Sequence, residues 1–245
     1  MDMVTLRLRD DGESVYSCTN KFALTLLGAS MTSEPTAELR EQFRRIYDQQ
    51  LWGRGSGVGS SPENTVEYRS FLRQFMRCNH IRSVVDLGCG DWQFSRYVDW
   101  SGVTYVGVDV VPSVVESNQR EFANGHITFR KFESLAKLPA ADLLVCKDVL
   151  QHLPNETVTA YLSAFRKTYK FSLITNDEEP EHLQNIDIQV GGWRPLRLDQ
   201  EPFCEPGAVV FSWIIQWGAA TTRTSTYLLH GNSVASIVPE AASLR

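Results

Sequence analysis

The fold of this chain is decided by the stretch Val84-Val85-Asp86-Leu87-Gly88-Cys89-Gly90-Asp91-Trp92, an apolar run that enters a glycine turn. A second apolar run, Tyr105 to Val108, stops at Asp109. The two acids are 23 positions apart (109 − 86), which fits one βαβ unit with a crossover helix predicted at Gln93 to Trp100. Backbone can approach a ligand closely at such a turn, and an acid after the second strand can accept hydrogen bonds from two ribose hydroxyls. The pattern predicts a nucleotide-type cofactor site.

The residues after the second glycine indicate which cofactor. Asp91, Trp92 and Gln93 follow Gly90, so the third glycine of a dinucleotide fingerprint is missing. Asp86 and Asp91 would repel a pyrophosphate, whereas they would attract a cationic sulfonium ligand that also carries an ammonium group. The pattern resembles the class I S-adenosylmethionine-dependent methyltransferases, whose first motif is acid-x-Gly-x-Gly and whose second is the acidic end of the next strand.

The resemblance covers roughly residues 83 to 231 and includes two further motifs. Ile127 to Phe129 is predicted as a third strand that leads to Glu133, which the resemblance places near the adenine amino group. Ala141 to Leu153 matches the fourth motif, an apolar strand followed by a polar break that faces the methyl donor and by the start of a helix. The resemblance implies S-adenosylmethionine as the cofactor. It assigns cofactor contacts to Asp86, Gly88, Gly90, Asp91, Trp92, Asp109, Val110, Glu133 and Lys147.

The fold implied is an α/β, three-layer αβα Rossmann-like sandwich around a seven-stranded, mostly parallel sheet whose last strand is antiparallel. Phe171 to Thr175, Val209 to Trp217 and Thr224 to Leu229 are the predicted fifth, sixth and seventh strands. The apolar spacing from Glu38 predicts an amphipathic helix that covers one edge of the sheet, and a second helix is predicted at Thr65 to Met76.

The chain is predicted to divide into an N-terminal extension, residues 1–36, and a methyltransferase domain, residues 37–245. Within the domain, the glycine-rich residues 51–62 predict a lid over cofactor and substrate, with a flexible linker as the alternative. Residues 176–208 are rich in Pro, Gly and charge, and we expect this insertion after the fifth strand to form the acceptor pocket. Trp52, Trp193 and Arg194 are the predicted substrate contacts; Arg194 could instead brace the insertion.

Two residues after the fourth strand are the predicted catalytic residues. His152 is placed to act as a general base for a hydroxyl acceptor, and its alternative is a structural role at the start of a helix. Asp148 is expected to face the methionine part of the cofactor or the acceptor. Asp148, Asn176 and Asp177 also resemble the magnesium site of some O-methyltransferases, but we predict a metal-free enzyme, since sequence cannot show convergence.

Composition fits a cytoplasmic enzyme. The 245 residues are 42% hydrophobic and 22% charged, and no apolar run approaches the ~20 residues of a membrane span. Five cysteines without CxxC spacing predict reduced thiols. A formal charge of −5 argues against a broad nucleic-acid surface. The predicted partner is a small-molecule methyl acceptor, such as a sugar or secondary metabolite with a hydroxyl or amine. The alternatives are a protein or RNA methyltransferase with a basic edge, or an inactive cofactor-binding interaction protein.

Overall fold

The computed structural model describes residues 35–179 and 184–232. Nearly all of the predicted extension, residues 1–36, therefore lies outside the described residues, and so do residues 180–183 of the predicted insertion. None of the helices in the described ranges is long and apolar enough to cross a membrane.

The described residues form a seven-stranded sheet with helices on both faces. The helices are α1 (Ala37–Asp48), α2 (Val66–Cys78), α3 (Pro112–Glu121) and α4 (Asn155–Thr168). The strands are β1 (Ser83–Leu87), β2 (Thr104–Asp109), β3 (Ile127–Lys131), β4 (Leu143–Lys147), β5 (Phe171–Glu178), β6 (Gly207–Trp217) and β7 (Ala220–His230).

The strand order β3-β2-β1-β4-β5-β7-β6 confirms the predicted fold class. The first five strands run parallel, and β7 lies antiparallel between β5 and β6. Because the chain order reverses between β1 and β4, a crevice opens at the carboxyl ends of these strands, which is where open α/β sheets bind ligands.

Side chains along the central strands point alternately to the two faces of the sheet, and each face carries an apolar core. Val85 and Leu144 belong to the core that α1 and α4 cover. Their neighbours Val84 and Leu143 belong to the core that α2 covers. Successive strand residues point to opposite faces, so fully buried runs such as Leu143–Lys147 require helices on both sides.

Two predictions are wrong in this part of the structure. The crossover helix predicted at Gln93 to Trp100 is only a 3-10 turn at Ser95–Tyr97. Trp92 and Phe94 are both buried, and residues two apart on an α-helix cannot share one face. The second error concerns the thiols: Cys78, Cys89 and Cys146 are free, but Cys204 is disulfide-bonded.

Candidate active site

A cavity opens at the carboxyl ends of the central strands, and we call it the cofactor cavity. The sheet side of this cavity is lined by Gly88, Asp109, Val110, Phe132, Lys147 and Asp148. The opposite side is lined by α1 and the loop that follows it, through Phe43, Tyr47, Trp52 and Ser56 among others. The site is therefore built between the βαβ motif and an N-terminal cover.

The glycine turn after β1 has a conformation and a packing that require glycine. Gly88 has φ +76°, and a Cβ there would lie 2.2 Å from a methyl group of Val149. Gly90 has φ +53°, and a Cβ there would lie 2.1 Å from Oγ of Ser56. Because other residues rarely adopt positive φ and a Cβ would clash, both positions require glycine.

Asp109 is buried at the end of β2 with its carboxylate fixed by backbone donors. Oδ2 accepts the N–H of Gly90 at 3.0 Å, and Oδ1 accepts the N–H of Val111 at 2.9 Å. Burial raises the pKa of Asp109, and these N–H donors oppose that rise. Each oxygen keeps a further acceptor site, so the carboxylate can bind a diol that reaches it through the cavity.

The loop of residues 51–62 is bonded to the glycine turn through Ser56. The Ser56 hydroxyl donates to Oδ1 of Asp91 at 2.6 Å and accepts the N–H of Asp91 at 3.0 Å. The Tyr47 hydroxyl from α1 lies 2.8 Å from the same Oγ and donates to it. The loop thus lies over the cofactor cavity.

A buried lysine attaches the same loop to β4. Nζ of Lys147 donates to the carbonyl oxygen of Gly59 at 2.9 Å and to Oδ2 of Asp148. Asp148 has φ +56°, an unusual backbone conformation for a non-glycine residue, and its Oδ1 is buried without a hydrogen-bond partner among the described residues. Lys147 therefore joins the loop to a carboxylate that lines the cavity.

A second cavity adjoins the first, and we call it the acceptor cavity. Trp52, Ser56 and Asp148 line both cavities. The acceptor cavity is further lined by Gly57, Val58, Gly59, Gln151, His152, Asp177, Trp193, Trp217 and Thr222. The two cavities meet at Asp148 and are covered by one loop.

His152 lies in the acceptor cavity with one ring nitrogen engaged. Nδ1 lies 2.8 Å from the carbonyl oxygen of Gly192, which can only accept a hydrogen bond, so Nδ1 carries the proton. The neutral ring then keeps a lone pair on Nε2. Burial lowers the pKa of His152 below its usual 6.5. The ring packs at 5.0 Å from Trp52 and 6.4 Å from Phe43, measured between centroids.

The comparisons with known proteins agree with this geometry. A family model described as a methyltransferase domain matches residues 85–170, from β1 to the end of α4. Residues 85–170 therefore match a methyltransferase domain, and the sheet around them has the fold of the class I S-adenosylmethionine-dependent methyltransferases. S-adenosylmethionine is therefore the cofactor, and methyl transfer is the activity. No curated protein matches the chain.

Solved structures of methyltransferases share the fold at low sequence identity. An S-adenosylmethionine-dependent methyltransferase from Anabaena variabilis is 12% identical, with a TM-score of 0.56 over 84% of this chain and 100% of that one. The 1,6-didemethyltoxoflavin-N1-methyltransferase from Burkholderia thailandensis is 16% identical, with a TM-score of 0.52 over 78% and 87%. The N-methyltransferase NodS from Bradyrhizobium japonicum is 13% identical, with a TM-score of 0.52 over 78% and 96%.

Several predicted cofactor contacts of the methyltransferase domain do not line the cofactor cavity. Asp86 is buried behind it, where Oδ2 accepts the Tyr105 hydroxyl at 2.6 Å. Trp92 fills the core against Tyr105 and other rings. Glu133 is exposed and paired with Lys137. Gly90 and Asp91 support the cavity through Asp109 and Ser56, whereas Gly88, Asp109, Val110 and Lys147 line it.

The predicted substrate contacts separate into two groups. Trp52 and Trp193 line the acceptor cavity. Arg194 does not: its Nη1 donates to the carbonyl oxygen of Gln151 at 3.2 Å, and its Nη2 donates to Oδ1 of Asn155 at 2.7 Å. Burial lowers the pKa of Arg194. Arg194 therefore braces the insertion against the turn that carries His152, which was the alternative interpretation.

The three oxygen side chains considered for magnesium do not converge. Asp148 and Asp177 line the acceptor cavity, but Asn176 points to the opposite face of β5 and lines a different cavity with Leu196. Asp177 is occupied by donors from Thr224, Gln151 and Trp193. Within residues 35–179 and 184–232, no group of three His, Cys, Asp or Glu side chains could hold a metal ion.

The site includes residues that sequence reasoning missed. The helix that was predicted to cover an edge of the sheet also lines the site, through Phe43 and Tyr47. No sequence motif marks three further lining residues, Phe132, Tyr161 and Trp217. The amphipathic pattern of α1 predicts its buried face, but it does not show that this face lines a ligand cavity. Trp217 ends β6 next to a hairpin turn, and an exposed aromatic at a strand end was the available signal.

Proposed function

We propose that the domain transfers the methyl group of S-adenosylmethionine to a hydroxyl or amine of a small molecule bound in the acceptor cavity. The observation that carries this proposal is the meeting of two cavities at Asp148, with His152 on the acceptor side. In-line displacement needs donor and acceptor to be close and collinear, and adjoining cavities can supply that alignment.

The residues of the cofactor cavity fit an adenosyl ligand with a charged methionine end. The Asp109 carboxylate would hold the ribose hydroxyls, and the apolar side chains of Val110 and Phe132 would contact the adenine. The carboxylate of Asp148, which lines this cavity, would attract the positively charged methionine end. S-adenosylmethionine, when bound there, supplies an electrophilic methyl group.

His152 would accept the proton that the acceptor loses. Gly192 fixes the tautomer, and the lone pair of Nε2 is then available to a hydroxyl or N–H in the acceptor cavity. The lowered pKa keeps His152 in its basic form at neutral pH. A buried ring can also have a purely structural role, and the variant His152→Gln distinguishes that role from proton transfer.

The loop of residues 51–62 would act as the lid. Its contacts run to the glycine turn through Ser56, to β4 through Gly59 and to β6 through Asn64 just beyond the loop. A cover with these contacts excludes water from both cavities when it is closed. Opening it requires the Lys147 and Ser56 hydrogen bonds to break.

A small acceptor is also favoured over a nucleic acid by the charges on α1. The basic edge weighed for a protein or RNA acceptor consists of Arg40, Arg44, Arg45 and Arg54, and of these Arg44 is paired with Glu41 and Asp48 at 2.6 Å each. This pairing neutralises the centre of that edge. The cytoplasmic location stays a prediction from the sequence.

A transfer assay tests the proposal. Protein and radiolabelled S-adenosylmethionine are incubated with sugars, phenols and amines, and the labelled products are separated from the cofactor. Transfer to a small molecule that is reduced in His152→Gln, with cofactor affinity retained, supports the assignment. Transfer only to protein or RNA would refute the small-molecule acceptor.

A further inference from the structure

Three tryptophans surround the acceptor cavity. Trp52 comes from the loop of residues 51–62, Trp193 from the insertion and Trp217 from the end of β6. Trp193 is 48% exposed and Trp217 is 42% exposed, so large apolar faces are in contact with water at the mouth of the cavity. Indole faces stack well on flat rings, and burying them is favourable. Three such faces from separate elements indicate a ligand that is itself flat and aromatic.

The charged residues that line this cavity are both acids. Asp148 and Asp177 are present, and no lysine or arginine is found among the described lining residues. Asp177 is already hydrogen-bonded by three side chains, but Oδ1 of Asp148 is buried and accepts no hydrogen bond within the described ranges. An unsatisfied buried carboxylate oxygen is costly unless a donor reaches it.

The cation that partly balances Asp148 lies outside the acceptor cavity. Nζ of Lys147 contacts Oδ2 of Asp148 and the Gly59 carbonyl, and Lys147 lines only the cofactor cavity. An acceptor with a carboxylate or phosphate would therefore enter an acidic cavity without a cation to meet it. A protonated nitrogen or an N–H would find both a carboxylate oxygen and aromatic faces.

We propose that the acceptor is a flat aromatic molecule that carries a basic or N–H-bearing nitrogen and no anionic group. This inference rests on the proposed function and narrows it, because it excludes simple sugars and acidic metabolites. Where an unprotonated N–H nitrogen is the methylated atom, its lone pair forms the new N–C bond. The methyl–sulfur bond breaks with its electron pair left on sulfur, and the N–H proton passes to Nε2 of His152.

A matched pair of three-ring probes tests the proposal. 9-Aminoacridine is flat and cationic, and acridine-9-carboxylate has the same rings with an anionic group. Each is titrated calorimetrically into the full chain, with and without saturating S-adenosylhomocysteine. The proposal predicts that 9-aminoacridine binds at least about tenfold more tightly than the carboxylate. Methyl α-glucoside, the sugar control, is expected not to bind.

Variants show whether the preference belongs to this cavity. Trp193→Ala and Trp217→Ala should each weaken 9-aminoacridine binding by about fivefold or more. Ile214→Ala removes another exposed apolar side chain from β6, outside the cavity lining, and should leave binding unchanged. Asp148→Asn should abolish most of the discrimination between the two probes.

Equal binding of the two probes, tighter binding of the carboxylate, or no binding of either would overturn the proposal. A preference that survives both tryptophan substitutions would also overturn it, because the probe would then be bound elsewhere on this acidic chain. These outcomes leave the proposed function standing if S-adenosylhomocysteine still binds and some other acceptor is methylated. Failure to bind S-adenosylhomocysteine would refute the proposed function itself.

Discussion

Asp86→Asn should stabilise the protein at neutral pH, although Asp86 belongs to the motif that decides the fold. The carboxyl group is 3% exposed, and burial raises its pKa from 3.8 to about 6. An unfolded chain ionises this group near pH 3.8, so between pH 4 and 6 the unfolded state loses the proton first and stability falls as pH rises. The difference of about 2 units between the folded and unfolded pKa values corresponds to about 3 kcal/mol of stability lost at pH 8. Asparagine removes the charge and keeps an oxygen that can accept the Tyr105 hydroxyl.

Urea denaturation followed by circular dichroism at pH 8 and pH 5 measures this effect. When the pH is lowered from 8 to 5, the free energy of unfolding of the wild type should rise by about 1–2 kcal/mol more than that of Asp86→Asn. Asp99→Asn is the matched control, because the Asp99 carboxylate is on the surface with a lowered pKa and should show no such gain. An Asp86→Asn protein that is less stable than the wild type at pH 8, with the same pH dependence, would refute the reasoning.

Three substitutions and one chelation experiment probe the site itself. Asp109→Ala should weaken S-adenosylhomocysteine binding by about tenfold or more, measured by calorimetry, because the ribose acceptor is lost; unchanged affinity would rule out the ribose assignment. His152→Gln should lower kcat by about 10²-fold or more with cofactor affinity retained. The wild-type rate should rise with pH through a pKa below 6.5 and level off by neutral pH, and a variant that unfolds instead would indicate a structural role. Lys147→Met should raise KM for the acceptor as the loop loses its contact with β4, and an unchanged KM would argue against the lid. Chelation with EDTA should leave transfer unchanged, and a loss restored by magnesium would contradict a metal-free site.

The fold could be predicted because its determinants are local. The strands β1 to β5 are short apolar runs separated by turns and helices, and the two acids near the ends of β1 and β2 fix the spacing of the first crossover. Parallel strands buried on both faces give nearly continuous apolar runs, which are easy to recognise. The helix predicted for the crossover after β1 was wrong because the aromatic residues there are buried one by one along a turn, and helical periodicity does not describe that packing.

The site was predicted less completely because it depends on which side of a strand each residue faces. Asp86 and Asp109 both match the predicted cofactor motifs, but only Asp109 lines the cofactor cavity. Asn176 and Asp177 are adjacent in sequence and point to opposite faces of β5, so a metal site that uses both cannot form there. Sequence spacing predicts the strand end, whereas the face is settled only by the register of the sheet.

Long-range contacts could not be predicted from local pattern. Lys147 reaches Gly59, which is 88 positions earlier, and the contact of the loop with β4 follows from it. Arg194 approaches the turn of His152 over 43 positions and stabilises it through backbone carbonyls. Such contacts form only after the sheet has brought the segments together, and neither residue stands in a motif that indicates its partner.

The cavity at Gly88 and Asp109 is expected to bind S-adenosylmethionine. Calorimetric titration of the purified chain with S-adenosylmethionine and S-adenosylhomocysteine measures this binding. We expect one site per chain with a dissociation constant of about 10 μM or less for both. The absence of binding by a protein that is folded by circular dichroism would contradict it.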